Sequence, residues 1–152
     1  MVCMLTTGLA HIDAERAFTR AARARRRATI MRVLRREPEA CQRLAVYDPR
    51  QIRRRGAAGG RRIREIPLGA INGTLEPTRA TLFDGQFRPT PAARTRWERV
   101  WLAEHRGAVL PPISVVPVDD GFAIRDGHHR VSVARARGAL TIDASVESLP
   151  AP

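Results

Sequence analysis

Two hydrophobic periodicities divide the chain. Residues 12–37 repeat at helical spacing, with Ala17, Phe18, Ala21, Ala24, Ala28, Met31 and Leu34 on one stripe. No glycine or proline interrupts the run, and Pro38 stops it. Asp13 and Glu15 near its start, with Arg32, Arg35 and Arg36 near its end, suit the helix dipole. The stripe is mostly alanine, so this helix is expected to lean on a partner or on the rest of the chain. From Arg62 the period shortens. Residues 63–66 (IREI) alternate as a short strand, and a loop rich in turn residues follows, with Gly69, Asn72-Gly73, Glu76-Pro77 and Asp84-Gly85.

Thr90-Pro91 then opens a second helix as N-cap and first residue. It is expected to run to about residue 106, with Ala93, Trp97, Val100 and Trp101 on one face and Gly107 as its stop. The tryptophans read as core. Pro111-Pro112 leads into a strand over 113–118, and Asp119-Asp120-Gly121 turns it into a second strand over 122–125. A short helix over 131–137, closed by Gly138, and a last strand over 141–146 complete an α+β pattern.

Composition changes the picture in one respect. The 152 residues carry a net charge of +12, and all 27 basic residues are arginine. Residues 1–64 hold 17 arginines against 5 acidic residues, whereas residues 65–152 hold 10 of each. The whole excess belongs to the first part, and the AAGG run at 57–60 marks a joint. The expected division is a basic helical arm with a Gly-rich joint over 1–60 and a folded domain over 61–152. A GC-rich genome, which favours Arg, Ala, Gly and Pro together, is the expected cause of the bias, so arginine abundance alone says little about function. Clustered arginines nevertheless suit a polyanion, and Arg25, Arg26, Arg27, Arg53, Arg54, Arg55, Arg61 and Arg62 are the expected contacts with nucleic acid. Stacking aromatics are not interleaved with them, so such binding would be salt-sensitive and would not read sequence.

The lack of lysine excludes a P-loop and Schiff-base chemistry. Cys3 and Cys41 form no zinc or redox pair, and no apolar run is long enough for a membrane span. The first ten residues lack the basic start of a signal peptide. A cytoplasmic protein without a membrane partner is the expectation.

The chemistry concentrates at Asp126-Gly127-His128-His129-Arg130. A strand runs there through a glycine turn into a helix N-terminus, where backbone N–H groups and the helix dipole attract phosphate. Arg130 can add a bidentate fork, and Asp126 can meet a magnesium ion. The same turn is also a common tight connection. Adjacent histidines point in different directions and make a poor metal pair. His129 is expected to be buried and bonded to backbone, and His128 is the better ligand contact.

The run PPISVVPVDDGFAIRDGHHRVSVARARGALTIDASV resembles the core of the ParB/sulfiredoxin superfamily, with a strand, a hairpin and a G-x-x-R turn before a short helix and a final strand. The upstream segment IREIPLGAINGTLEPTRATLFDGQFRPT is similar to the opening of ParB domains, which places Glu76, Pro77 and Arg79 near the site. The resemblance covers about residues 62–148. It implies a small mixed sheet with packed helices and a nucleoside tri- or diphosphate, with Mg²⁺, held at Gly127, His128, His129 and Arg130. Arg79 would reach the same phosphates, Asp126 would position the metal, and Glu76 would be the catalytic base. Sulfiredoxins carry a cysteine where this chain has His128, so reductase chemistry lacks its nucleophile. With 14 residues after Gly138, a helix-turn-helix reader is not expected. The leading expectation is a nucleotide-binding module associated with DNA through its arm. A small-molecule (free amino acid) kinase or NTPase, and an interaction module with a vestigial site, are the alternatives.

Overall fold

The structure, a computed structural model, describes residues 8–50, 52 and 60–147. The long uninterrupted repeat folds as α1 (Ala10–Leu34), and Arg36, in the left-handed region at φ 55°, marks its exit two residues ahead of Pro38. The DDG sequence makes a tight turn between β4 (Ile113–Val118) and β5 (Gly121–Asp126), which pair antiparallel. β2 (Arg61–Pro67) pairs antiparallel with β6 (Thr141–Glu147) along its whole length. β4 joins these two ribbons by pairing parallel with β6.

One further strand lies in the segment expected as a loop, and another in the segment expected as a basic arm. β3 (Ile71–Thr74) runs parallel to β5, and the two-residue β1 (Ala45–Val46) runs parallel to β3. Asn72-Gly73 reads as a turn, yet Gly73 is there for close approach. A Cβ at this position would lie 2.6 Å from the Tyr47 ring. The result is one mixed six-stranded sheet in the order β1-β3-β5-β4-β6-β2. With the helices packed beside it, the chain has the α+β architecture expected from its sequence.

Three helices cover one face of the sheet. α3 (Arg94–His105) follows a 3₁₀ turn begun by Pro91, and its Trp97 and Trp101 are buried as expected. α4 (His128–Ala136) starts directly after the glycine turn, three residues earlier than the periodicity predicts. Trp97 Nε1 donates to Ser132 Oγ at 2.9 Å and ties α3 to α4. Neighbouring Val115 and Val116 are both buried because they face opposite sides of the sheet. Val115 joins the main core and Val116 a smaller cluster with Leu75 and Ala123.

α1 packs on α3. Phe18 meets Trp97 edge-on, and Ala14 and Phe18 are buried in the same core as the sheet residues. The boundary at residue 60 is therefore one of charge and not of packing, since both α1 and β1 lie in the one core and the one sheet. The far end of the helix departs from the expected stripe: Met31 and Leu34 are exposed, together with Ile30 and Val33. No helix among the described residues is long and apolar enough to cross a membrane.

Candidate functional site

The site is built where β5 ends. Gly127 has φ 111°, and a Cβ on it would lie 2.5 Å from Ile113 Cγ2. Both the left-handed backbone and the close packing therefore require glycine. Its carbonyl accepts the first bond of α4, from Val131 N–H at 3.0 Å, so the earlier amides of the helix have no intrahelical acceptor.

The two histidines lie in the first turn of α4, and both are buried. His128 Nε2 is 2.6 Å from Thr74 Oγ1 on β3. That hydroxyl also donates to the Ile124 carbonyl at 3.2 Å and accepts the Glu76 N–H at 2.9 Å. The His128–Thr74 hydrogen bond can run in either direction, according to the tautomer of the ring. His129 makes no ring hydrogen bond among the described residues; its ring meets Phe83 edge-on at 5.1 Å, while His128 lies nearly parallel to Phe83 at 6.4 Å. His129 is buried as expected, but the ring hydrogen bond belongs to His128 and goes to a side chain, not to backbone.

Both imidazoles are pushed from 6.5 down to about 4, first by burial. Next come Arg79 for His128 and Arg96 for His129, with each arginine acting on both rings. Arg79 lies on α2 (Pro77–Ala80) and Arg96 on α3. Neither arginine makes an ion pair or side-chain hydrogen bond among the described residues. A neutral, ring-lined helix N-terminus therefore lies within electrostatic reach of two guanidinium groups without ion pairs among the described residues, and their charge favours an anion there.

Arg130 and Asp126 are more committed. Arg130 Nη1 donates to the carbonyls of Pro111 and Pro112, the latter at 2.9 Å, and Nη2 donates to Asp126 Oδ2 at 2.7 Å. Arg130 thus fastens the turn to the strand before it, with only part of its donor set left for a ligand. Asp126 keeps Oδ1 without a protein partner, and no cluster of three metal-ligating side chains occurs among the described residues. The donor set fits a magnesium ion carried by phosphate oxygens with Asp126 as single protein ligand, and not a protein-held ion. Glu76 is exposed at the N-cap of α2, anchored by its N–H to Thr74. Sequence reading missed Thr74, Phe83 and Arg96; the available signal for Arg96 was its place beside Trp97, on the helix that packs on α4.

The expected nucleic-acid contacts separate. Arg26, Arg27 and Arg62 are exposed, whereas Arg25 is half-buried and its Nε has no acceptor. Arg61 pairs with Glu147. Arg53, Arg54 and Arg55 lie outside the described residues. Along α1, Arg16, Arg20, Arg23 and Arg27 line one continuous groove with Arg94.

No family model matches the chain, and no curated protein matches it. Among solved structures it is similar to sulfiredoxin from Arabidopsis thaliana, with 22% identity over 56% of this chain and 83% of that chain and a TM-score of 0.41. That is a partial likeness at low identity, and no residue role passes from it to this chain.

Proposed function

We propose that the turn into α4 binds the phosphates of a nucleoside tri- or diphosphate with Mg²⁺, and that α1 associates the protein with nucleic acid. The observation that carries the first part is the pair of uncommitted arginines, Arg79 and Arg96, whose charge falls on the N-terminus of α4. Gly127 and the free amides after it would cradle the phosphates, with Arg79 and Arg96 as forks. Arg130 holds the turn in shape and adds its remaining donors. Asp126 would meet the metal. His128 and His129, neutral near pH 7, leave the local field to the arginines.

Support for the second part is the stripe of Arg16, Arg20, Arg23 and Arg27, at helical spacing on α1. It spans about 16 Å along the axis at ~1.5 Å per residue, enough to follow successive phosphates. The contacts are to backbone, so binding would be steep in salt and indifferent to sequence.

A second reading, a phosphotransferase or NTPase, is favoured by one link. Thr74 Oγ1 accepts the Glu76 N–H and shares a hydrogen bond with His128 Nε2, which holds the Glu76 turn against the phosphate turn. Glu76 would then act as base toward an acceptor hydroxyl, with catalysis mostly by positioning and charge.

Calorimetric titration of the full chain with ATP, ADP, CTP and GTP plus Mg²⁺ tests the site. Arg79→Ala and Arg96→Ala should each weaken binding by about tenfold or more without loss of fold, since both side chains lack structural partners. No heat with any nucleotide from a folded sample overturns the proposal. If turnover is seen, Glu76→Gln should abolish it and spare binding.

A further inference from the structure

A second concavity lies away from the Gly127 turn, between α1 and the C-terminal half of α4. Its volume is about 580 Å³, within the range of small-molecule sites. Alanines on the two helices leave it open, and Phe87 and Trp101, both buried, form part of its apolar wall.

The charged groups around it are of one kind. Arg20, Arg88 and Arg135 line it, and no aspartate or glutamate does among the described residues. Arg20 is exposed and makes no ion pair or side-chain hydrogen bond among the described residues. Arg88 gives its Nε to Asp84 at 2.7 Å and keeps both terminal nitrogens. Arg135 is fixed over the Phe87 ring, with Nη1 on Gln86 Oε1 and Nη2 on the Leu68 carbonyl. Its Nε–H is buried with no acceptor among the described residues.

Ser132 adds an independent sign. It is 98% buried yet lines the same space, and its oxygen accepts from Trp97 while its own proton has no acceptor among the described residues. Spare donors around an apolar wall, without a carboxylate to neutralise them, select by charge as well as by shape.

We propose that this groove binds a small amphipathic anion, an apolar chain or ring bearing one carboxylate or phosphate. The apolar body would lie against Phe87 and Trp101, with the head on Arg20 and Arg88. An uncharged ligand of the same shape would leave the arginines unanswered, and a bare anion would leave the wall wet.

Titration of the full chain with octanoate, octyl phosphate, octanol, acetate and inorganic phosphate is the test. At least one of the two amphipathic anions should bind about tenfold tighter than octanol and than the matching bare anion, and the pair distinguishes a carboxylate head from a phosphate head. Arg20→Ala should weaken that binding about fivefold. Ala136→Leu, on the exposed rim of the groove, should abolish it by filling the space while circular dichroism and the unfolding midpoint stay unchanged. Equal binding of octanol, no binding of either anion, or full binding by Ala136→Leu would each overturn the assignment. Should Ala136→Leu disturb the fold, Ala24→Leu on the opposite wall is read by the same criterion.

Discussion

The Thr74 hydroxyl and His128 Nε2 share a hydrogen bond at 2.6 Å, and both residues are buried. One oxygen on β3 thereby joins the first turn of α4 to the backbone of Glu76. Valine at position 74 keeps the volume and removes all three bonds of the hydroxyl. Thr74→Val should cost about 1–3 kcal/mol, because the Glu76 N–H and the buried His128 Nε2 lose this partner. Urea denaturation checks this. A midpoint equal to that of the native protein would mean that the hydroxyl holds nothing in place.

The same histidines make stability depend on pH, with a definite sign. Folded, each takes up a proton only near pH 4, against 6.5 for the free side chain. Between those values the unfolded chain binds more protons, so stability falls as pH is lowered from about 6.5 toward 4. Below about 4 the two histidines add no further loss. Each contributes a slope of at most about 1.4 kcal/mol per pH unit. Denaturation midpoints between these limits should therefore fall more steeply in the native protein than in His129→Gln, whose ring is gone. Parallel lines would mean that His129 titrates normally.

Arg130 and Asp126 form an ion pair at 2.7 Å, but the two side chains differ in burial: 14% of Arg130 is exposed and 69% of Asp126. The arginine also binds two carbonyls. Arg130→Ala should be the costlier change, about 2–3 kcal/mol, with Asp126→Asn near 0–1 kcal/mol. Chemical denaturation of the two variants would reveal the asymmetry. It also means that lost nucleotide binding in Arg130→Ala reports on the turn as much as on a phosphate contact, which is why Arg79 and Arg96 are the cleaner tests.

The parts of this fold that are legible in sequence are those set by local chemistry. The DDG turn fixes the β4–β5 hairpin, Thr90-Pro91 marks the start of the second helix, and Trp97 and Trp101 sit on its apolar face. β3 is not legible, because Asn-Gly signals a turn, whereas Gly73 serves the close approach of the Ala45 backbone and the Tyr47 ring across the β1–β3 pairing. The two-residue β1 has too little pattern to read. Within the site, Gly127, the two histidines and Arg79 stand out from motif and resemblance, whereas Thr74 and Arg96 reach it through packing between distant segments. Among the N-terminal arginines, composition cannot tell Arg25, turned inward on α1, from its exposed neighbours Arg26 and Arg27.

The packing of α1 yields the sharpest departure from the charge-based division of the chain. Phe18 is 3% exposed, with its ring 5.5 Å from that of the fully buried Trp97 at an angle of 74°. Removing the ring should cost about 3–4 kcal/mol in Phe18→Ala, from lost burial and the cavity left on Trp97. That is a large share of the ~5–15 kcal/mol by which a domain of this size is stable. A chain of residues 61–152 alone would lose Phe18 and Ala14 from the core, expose Trp97, and lose the strand that pairs with β3. It should be poorly folded, with weak near-ultraviolet circular dichroism and a tryptophan emission shifted to the red. A cooperative unfolding transition from that fragment, with native-like tryptophan emission, would restore the basic segment to the status of an appendage.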